Sequence, residues 1–426
     1  MLRARIVWMF IIIAVSRTIV PAQSPTSDAP RTASPATLDE LVQEALERHP
    51  AIQAARRLVD AKRAMIAPAQ TLPEPTITFQ TMGELLPPVL QSGDPASARA
   101  VSIEQDIPFP GKLELKGRMA SMEAEAEWWN YEQTRRAIIA DVKLAYYDLY
   151  HIEESINVVE KNKELLQKFL QIADARYRVG QGNQQDLLKA QVEISKLIDR
   201  LTVLKQQHDI TEARLNTLLY RPPGSHMAVT THAHKAELRY TLEELYQLAC
   251  RNFPELKAQE REIDRQHYAV QLARKQFYPD FSVGFTYFNR AATPEMYGLS
   301  VKAKIPLYFW RRQRPELDSA ASTLAGAQKQ RDNLLSLLYF RVKDAYLAAT
   351  TSERLMQLYG HAVIPQATLS LESAVANYQV GKVDFLTLID DLTTLLDYEL
   401  KYHEALVEYQ KALARLEVFV GLELTK

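Results

Sequence analysis

The sequence predicts a mainly α protein with a small β part, a duplicated pair of long coiled-coil hairpins carrying two short strands per half. Three observations predict it. LDELVQEALERHPAIQAA (Leu38 to Ala55) recurs as LEELYQLACRNFPELKAQ (Leu242 to Gln259), and YRVGQG (Tyr177 to Gly182) recurs as YQVGKV (Tyr378 to Val383), about two hundred residues later. Between these landmarks run long stretches with apolar residues at steps of three and four, and pairs of short segments that alternate at period two. Self-similarity at this spacing means duplication of a whole unit, not a solenoid. Neither half has enough strands to close a sheet, so several copies of one unit are expected around an axis.

Composition agrees. Only 13 glycines in 426 residues, against abundant Leu, Ala, Glu, Gln and Lys, favour long helices over many turns. The formal net charge of −1 and the lack of any long basic run exclude a dedicated nucleic-acid binder.

The chain then divides in order. Residues 1–22 read as a signal peptide, with Arg3 and Arg5 ahead of the apolar stretch Ile6 to Val15 and a small-residue cleavage site at Val20-Pro21-Ala22. An uncleaved anchor is the other reading, although Arg17 interrupts the stretch and its length is short for a membrane span. Residues 23–37 are a Pro, Ser, Thr and Ala leader expected to be flexible. The first structural repeat is expected over 38–223, an inter-repeat linker over 224–237, and the second repeat over 238–426. The only cysteine, Cys250, excludes an internal disulfide, and none stands near the signal to take a lipid.

In the first repeat no proline occurs between Gly111 and Tyr177, so one helix of roughly a hundred ångströms is available at 1.5 Å per residue. Its seam runs Ile138, Val142, Ala145, Leu149, Ile152, Ile156 and Val159, then Leu166, Leu170, Ala173 and Tyr177, in coiled-coil steps. The next helix answers with Leu187, Ala190, Ile194, Leu197, Leu201 and Leu204, then Leu215 and Leu218. The last helix of the second repeat carries Leu388, Leu392 and Leu395, breaks register at Glu399, and resumes through Tyr402, Leu406, Tyr409, Leu413, Leu416 and Val420. Two antiparallel hairpins follow, each with a Val-Gly tip.

The alternating segments bear on function. Phe281, Val283, Phe285 and Tyr287 alternate with Ser282, Gly284 and Thr286, and Leu299, Val301, Ala303 and Ile305 with Ser300, Lys302 and Lys304. A weaker version has Ile77 and Phe79 among Thr76, Thr78 and Gln80, then Val101 and Ile103 among Ser102 and Glu104. Each segment is about as long as a tilted strand crossing a bilayer, and polar-in, apolar-out is the pattern of a water-filled barrel in lipid. Alternation alone is equally compatible with a sheet half buried against helices. If the strands do span lipid, four cannot close, and open edges do not survive in hydrocarbon, so protomers must share one barrel.

These landmarks together resemble the TolC family of outer-membrane efflux channels. The resemblance covers Leu38 to Leu424 and rests on the breaks at Pro50 and Pro254 after LxELxxxA, the strand-to-helix joint IPFPGK (Ile107 to Lys112) answered by IPLYFW (Ile305 to Trp310), and the tips YRVGQG and YQVGKVDFLTLID. IPFPGK and GKVDFLTLID look most like the heavy-metal and resistance-nodulation-division (RND) branch. The resemblance implies four membrane strands per protomer, a homotrimer with a twelve-stranded β-barrel among outer-membrane lipid, and an α-helical tunnel reaching into the periplasm. It also implies a periplasmic adaptor (membrane fusion) protein and an inner-membrane pump of RND type as partners. Pro108, Pro110 and Gly111 suit the joint, because proline ends a ladder and glycine tolerates a sharp turn. Arg311 and Arg312 at the second joint read as a solvated collar or a helix start.

Site residues follow from the same resemblance. Asp390, nine residues after Gly381, matches a family position lining the tunnel constriction, with Asp391 beside it. The family's second aspartate, at the sixth position, is replaced by Thr387, and the first-half counterparts are Asp186 and Lys189. A ring of Asp390 carboxylates would favour cations. Tyr378 matches a position whose hydroxyl helps close the tips, although the basic partner two residues after the glycine is Val383 here, and a seam tyrosine also reads as packing. Val179, Gly180 and Gln181, with Val380, Gly381 and Lys382, are the adaptor-contacting tips.

Catalytic constellations are absent from the sequence, so no enzyme activity and no cofactor is expected. His226, His232 and His234 have odd spacing for a metal site and read as a solvated linker. The function expected is a passive exit duct of a tripartite pump, for metal cations or drugs. The alternatives are a type I protein-secretion conduit and a periplasmic coiled-coil scaffold without a transport role.

Overall fold

A computed structural model describes residues 37–82, 97–226, 236–290 and 294–424. The signal peptide, nearly all of the leader, and the linker residues His232 and His234 lie outside the described residues. Ten α-helices and four strands follow one another in a repeated order among the described residues. The first half runs α1 (Leu38–Arg48), α2 (Pro50–Ala64), α3 (Ile66–Gln70), β1 (Thr76–Met82), β2 (Ala98–Ile107), α4 (Lys112–Arg178) and α5 (Gln184–Leu218). The second runs α6 (Leu242–Asn252), α7 (Pro254–Lys275), β3 (Asp280–Arg290), β4 (Met296–Lys304), α8 (Gln313–Leu358), α9 (Ile364–Gln379) and α10 (Phe385–Val420).

Local chemistry explains the repeated start. Thr37 and Thr241 each cap a helix, and Glu40 and Glu244 reach back to the cap amide, so both repeats open on a capping box. Pro50 and Pro254 stand at the first position of α2 and α7, where a missing N–H is harmless.

The strands form one antiparallel sheet in the order β1-β2-β3-β4. Register aligns Phe79, Val101, Tyr287 and Tyr297 across the sheet, and likewise Ile77, Ile103, Phe285 and Leu299. These apolar rows are exposed to a degree unusual for a folded domain, with Phe79 76%, Leu299 78% and Val301 70% accessible. Opposite them lie Glu104, Ser282 and Lys302. On that polar face Lys302 Nζ donates to Glu104 Oε2 at 2.6 Å and Ser282 Oγ to Asp106 Oδ1 at 2.6 Å. Among the described residues neither β1 nor β4 has a second neighbour, so both edges of the sheet are open there.

At the joint below the sheet, Gly111 takes φ +87° and α4 begins. Phe109 N–H and the buried Lys112 ammonium both donate to Asp280 Oδ1, at 2.8 and 2.7 Å, while Phe109 stacks on Tyr278 at 4.5 Å. The first and second halves are therefore pinned together where strands become helices.

The helices pack through two cores. One, around Leu149, Leu215, Leu338, Tyr409 and Leu413, gathers α1 and α6 against α4, α5, α8 and α10. The other, around Val159, Leu166, Ala190, Leu371 and Leu388, fills the hairpins toward the tips. Most of the expected seam is buried here, but Tyr177, one residue before the end of α4, is exposed. α10 is continuous through Glu399: Leu396 and Leu400 take over the seam where the heptad shifts. Between α8 and α9 the helix widens into a π-turn over Tyr359–Val363, just before Pro365.

Candidate functional site at the hairpin tips

Both tips close the same way. Gly180 N–H bonds Tyr177 O at 3.0 Å and Gln181 N–H bonds Arg176 O at 2.9 Å; Gly381 N–H bonds Tyr378 O at 3.0 Å and Lys382 N–H bonds Asn377 O at 2.9 Å. That pair of bonds, with glycine left-handed at φ +74° and +77°, is the Schellman ending of a helix. Val179 and Val380 stand exposed at the apices, 68% and 67% accessible, beside exposed Gln181 and Lys382.

Arg176 joins the two tips. Its guanidinium donates from Nη1 to Tyr378 O and from Nη2 to Gln181 O at 3.3 Å, and it lies 4.7 Å from the centroid of the Tyr378 ring. Tyr378 is buried, packs against Phe385 at 5.5 Å, and its hydroxyl has no partner among the described residues. Burial pushes the Tyr378 hydroxyl above its ordinary value, and the nearby Asp186 charge adds to this while Arg176 opposes it. Burial likewise pushes the Asp186 carboxyl up, with Asp384 adding and Arg176 opposing. Tyr378 and Asp186 are thus brought into one electrostatic cluster.

Sequence reasoning missed Arg176. The available signal was a basic residue one helical turn before Gly180, where the second half has Asn377.

The aspartates of α10 separate. Asp391 is half-buried and accepts from Ser370 Oγ of α9 at 3.1 Å, so it is engaged within its own hairpin. Asp390 is exposed on the face turned away from the buried Leu388, Ile389 and Leu392. Thr387 is spent locally: the Asp384 carboxylate accepts from Thr387 N–H at 2.9 Å and Oγ1 at 2.6 Å, capping α10. Those bonds hold Asp384 below its ordinary value. Away from the tips, His226 Nδ1 lies 3.6 Å from Glu212 Oε2. Among the described residues no helix is long and apolar enough to cross a membrane.

The sequence profile described as "Outer membrane efflux protein" matches residues 41–219 and 245–422, one segment per half. The chain is 23% identical over 419 residues to the cobalt-zinc-cadmium resistance protein CzcC of Cupriavidus metallidurans, covering 96% of each. It is 24% identical over 417 residues to the pyoverdine export outer membrane protein OpmQ of Pseudomonas putida, covering 90% of this chain and 85% of that one. Among solved structures, the outer-membrane channel OprN superposes with a TM-score of 0.77 at 18% identity over 91% of both chains. CusC superposes at 0.76 with 16% identity, over 90% of this chain and 92% of that one. The profile match, to a family of efflux ducts, is what sets an enzyme activity aside. With the match spanning both halves, this chain belongs to the outer membrane efflux protein family.

Proposed function

We propose that this protein is the exit duct of a tripartite efflux pump, a homotrimer whose strands make a shared twelve-stranded barrel and whose helices form a tunnel in the periplasm. The observation that carries this reading is the open sheet, with exposed apolar rows on one face, a bonded polar network on the other and two unpaired edges. Such edges are costly in lipid unless another copy pairs with them. Exposed Tyr308, Phe309 and Trp310 at the end of the sheet suit the aromatic girdle where a barrel meets headgroups. The two structural repeats, 38–223 and 238–426 joined by 224–237, each supply two strands and one hairpin.

In this reading the tips meet a periplasmic adaptor through Val179, Gly180, Gln181, Val380, Gly381 and Lys382. Arg176, Tyr378 and Asp186 hold the paired tips, and three Asp390 carboxylates line the constriction. The inner-membrane partner is an RND-type pump, and the cargo class is metal cations, which the likeness to a cobalt-zinc-cadmium resistance protein favours. The test is insertion and conductance together. Purified protein should run as a trimer in detergent and open ion-conducting events in planar bilayers; a monomer that neither inserts nor conducts overturns the reading.

A further inference from the structure

Metal-ligating side chains converge at a second place, near the C-terminal end of α5. His208, Asp209 and Glu212 offer a ring nitrogen and two carboxylate oxygens that all lie within 4.8 Å of one another. Their spacing explains this. Residues four apart on a helix share a face one turn apart, so the His208 ring stands over Glu212. Two neighbouring segments each touch one member of this group. Glu153 Oε1 of α4 is 3.5 Å from His208 Nε2, and His226, on the connection that follows α5, brings its Nδ1 to 3.6 Å from Glu212 Oε2.

The arrangement around His208 has an electrostatic consequence. Its Nδ1 faces Asp209 Oδ1 at 3.5 Å while its Nε2 faces Glu153. A neutral imidazole carries one N–H, so one of these two contacts sets a lone pair against a carboxylate unless a second proton or a cation lies between. Three carboxylates around the His208 imidazole, with Glu212 only 10% and Glu153 only 21% accessible at the side chain, favour a cation there. Donors of a tetrahedral site with bonds of about 2.0 to 2.2 Å stand roughly 3.3 Å apart, and His208 Nδ1 and Asp209 Oδ1 are 3.5 Å apart.

We propose that His208 through Nδ1, Asp209 and Glu212 bind one divalent transition cation of the zinc class, with water in the fourth position and Glu153 accepting the Nε2–H of His208 and orienting its ring. The mixed nitrogen and oxygen set suits zinc rather than calcium or magnesium, which take oxygen ligands, and it lacks the thiolates that select softer ions. A carboxylate behind a ligating histidine is the usual outer-shell partner of such a site. Bound there, the ion bridges successive turns of α5 and is braced from α4 by Glu153. The site does not depend on the transport reading, and it is distinct from cation attraction at Asp390.

The test uses the full-length protein in detergent, metal-stripped, titrated with zinc chloride alone by calorimetry and with cobalt(II) by visible absorption. One zinc per chain and the intense bands of four-coordinate cobalt are expected. His208→Gln with Glu212→Gln should abolish both, and Asp390→Asn should leave both in place. Glu153→Gln should keep the stoichiometry and weaken binding about tenfold to a hundredfold, an effect that ion pairing alone would not produce. Asp209→Asn, at a side chain 82% accessible and so safe for folding, should weaken zinc at least about tenfold. The proposal is overturned if the wild type binds no stoichiometric zinc, if the double variant binds it unchanged, if Asp209→Asn has no effect, or if Asp390→Asn alone removes it.

Discussion

His151 on α4 and His403 on α10 each carry a buried Nδ1 without a hydrogen-bond partner among the described residues. Burial lowers both from the ordinary 6.5. At His151 the Lys411 charge adds to this and Glu404 opposes it; at His403 Glu154 and Glu399 oppose it. A base whose folded value is depressed contributes stability that is present above its ordinary value and lost as pH falls through the depressed one. The melting temperature should therefore drop between pH 7.5 and pH 5, and His151→Gln with His403→Gln should flatten that drop. Parallel curves for wild type and variant would show that other groups govern acid sensitivity. Asp390 lends itself to an electrical measurement. Exposed on α10 with no hydrogen-bond or ion-pair partner for its carboxylate among the described residues, it is free to act on ions, whereas Asp391 is engaged by Ser370. In planar bilayers Asp390→Asn should reduce cation preference and weaken block by divalent ions, with a smaller effect from Asp391→Asn. Selectivity that is unchanged in Asp390→Asn and altered in Asp391→Asn or Asp186→Asn would move the constriction to those residues.

At the scale of elements, the tips behave as one unit because Arg176 spans them. A side chain at Gly381 meets two obstacles: a left-handed backbone that costs an L-residue about 1 to 2 kcal/mol, and Arg176 Nη2 only 3.3 Å from where its Cβ would stand. Gly381→Leu should loosen the clasp and weaken adaptor binding while leaving the detergent oligomer and membrane insertion intact. Gly180, with open space around its Cβ, should show the backbone cost alone. Pull-down of adaptor by each variant checks this, and normal binding by Gly381→Leu removes the tips from the contact. Much of these elements was legible: the proline-free run set α4, and Val-Gly set the tips, because both depend on local backbone chemistry. The clasp was not, since Arg176 acts across a pairing of helices far apart in sequence. Nor was the π-turn. Pro365 reads as a helix stop, yet widening over Tyr359–Val363 absorbs its missing N–H and lets α8 continue into α9. Gly360 there admits Tyr402 to 3.1 Å of a Cβ position, a tolerance visible only once α10 is packed alongside.

The whole molecule depends on the sheet, because it alone tells an inserted channel from a helical scaffold. Alternation gave the two faces from sequence, but not the register, which places residues from both halves in single rows. Val283 pairs with Val301, and Phe285 lies between Ile103 and Leu299, so the apolar face is assembled jointly by strands of both halves. Gln105 falls in the same row as Val283 and Val301, and its amide donates to Pro73 O at 2.7 Å and Asp106 O at 2.9 Å, satisfying on the protein what lipid could not. The faces should answer differently to charge. Arginine at Val283, Phe285 or Val301 should each cost on the order of 2 to 4 kcal/mol near the bilayer midplane. Ile305, one residue beyond β4, should cost less, since the penalty falls toward the interface. Arginine at Thr286 should be tolerated on the polar face, as should arginine at Ser282, where Asp106 is already 2.6 Å away to receive a cation. Folding into lipid vesicles, followed by resistance to protease and to urea, measures the difference. If both faces accept arginine equally, the apolar rows are not in hydrocarbon, and the shared barrel fails while the helical hairpins stand.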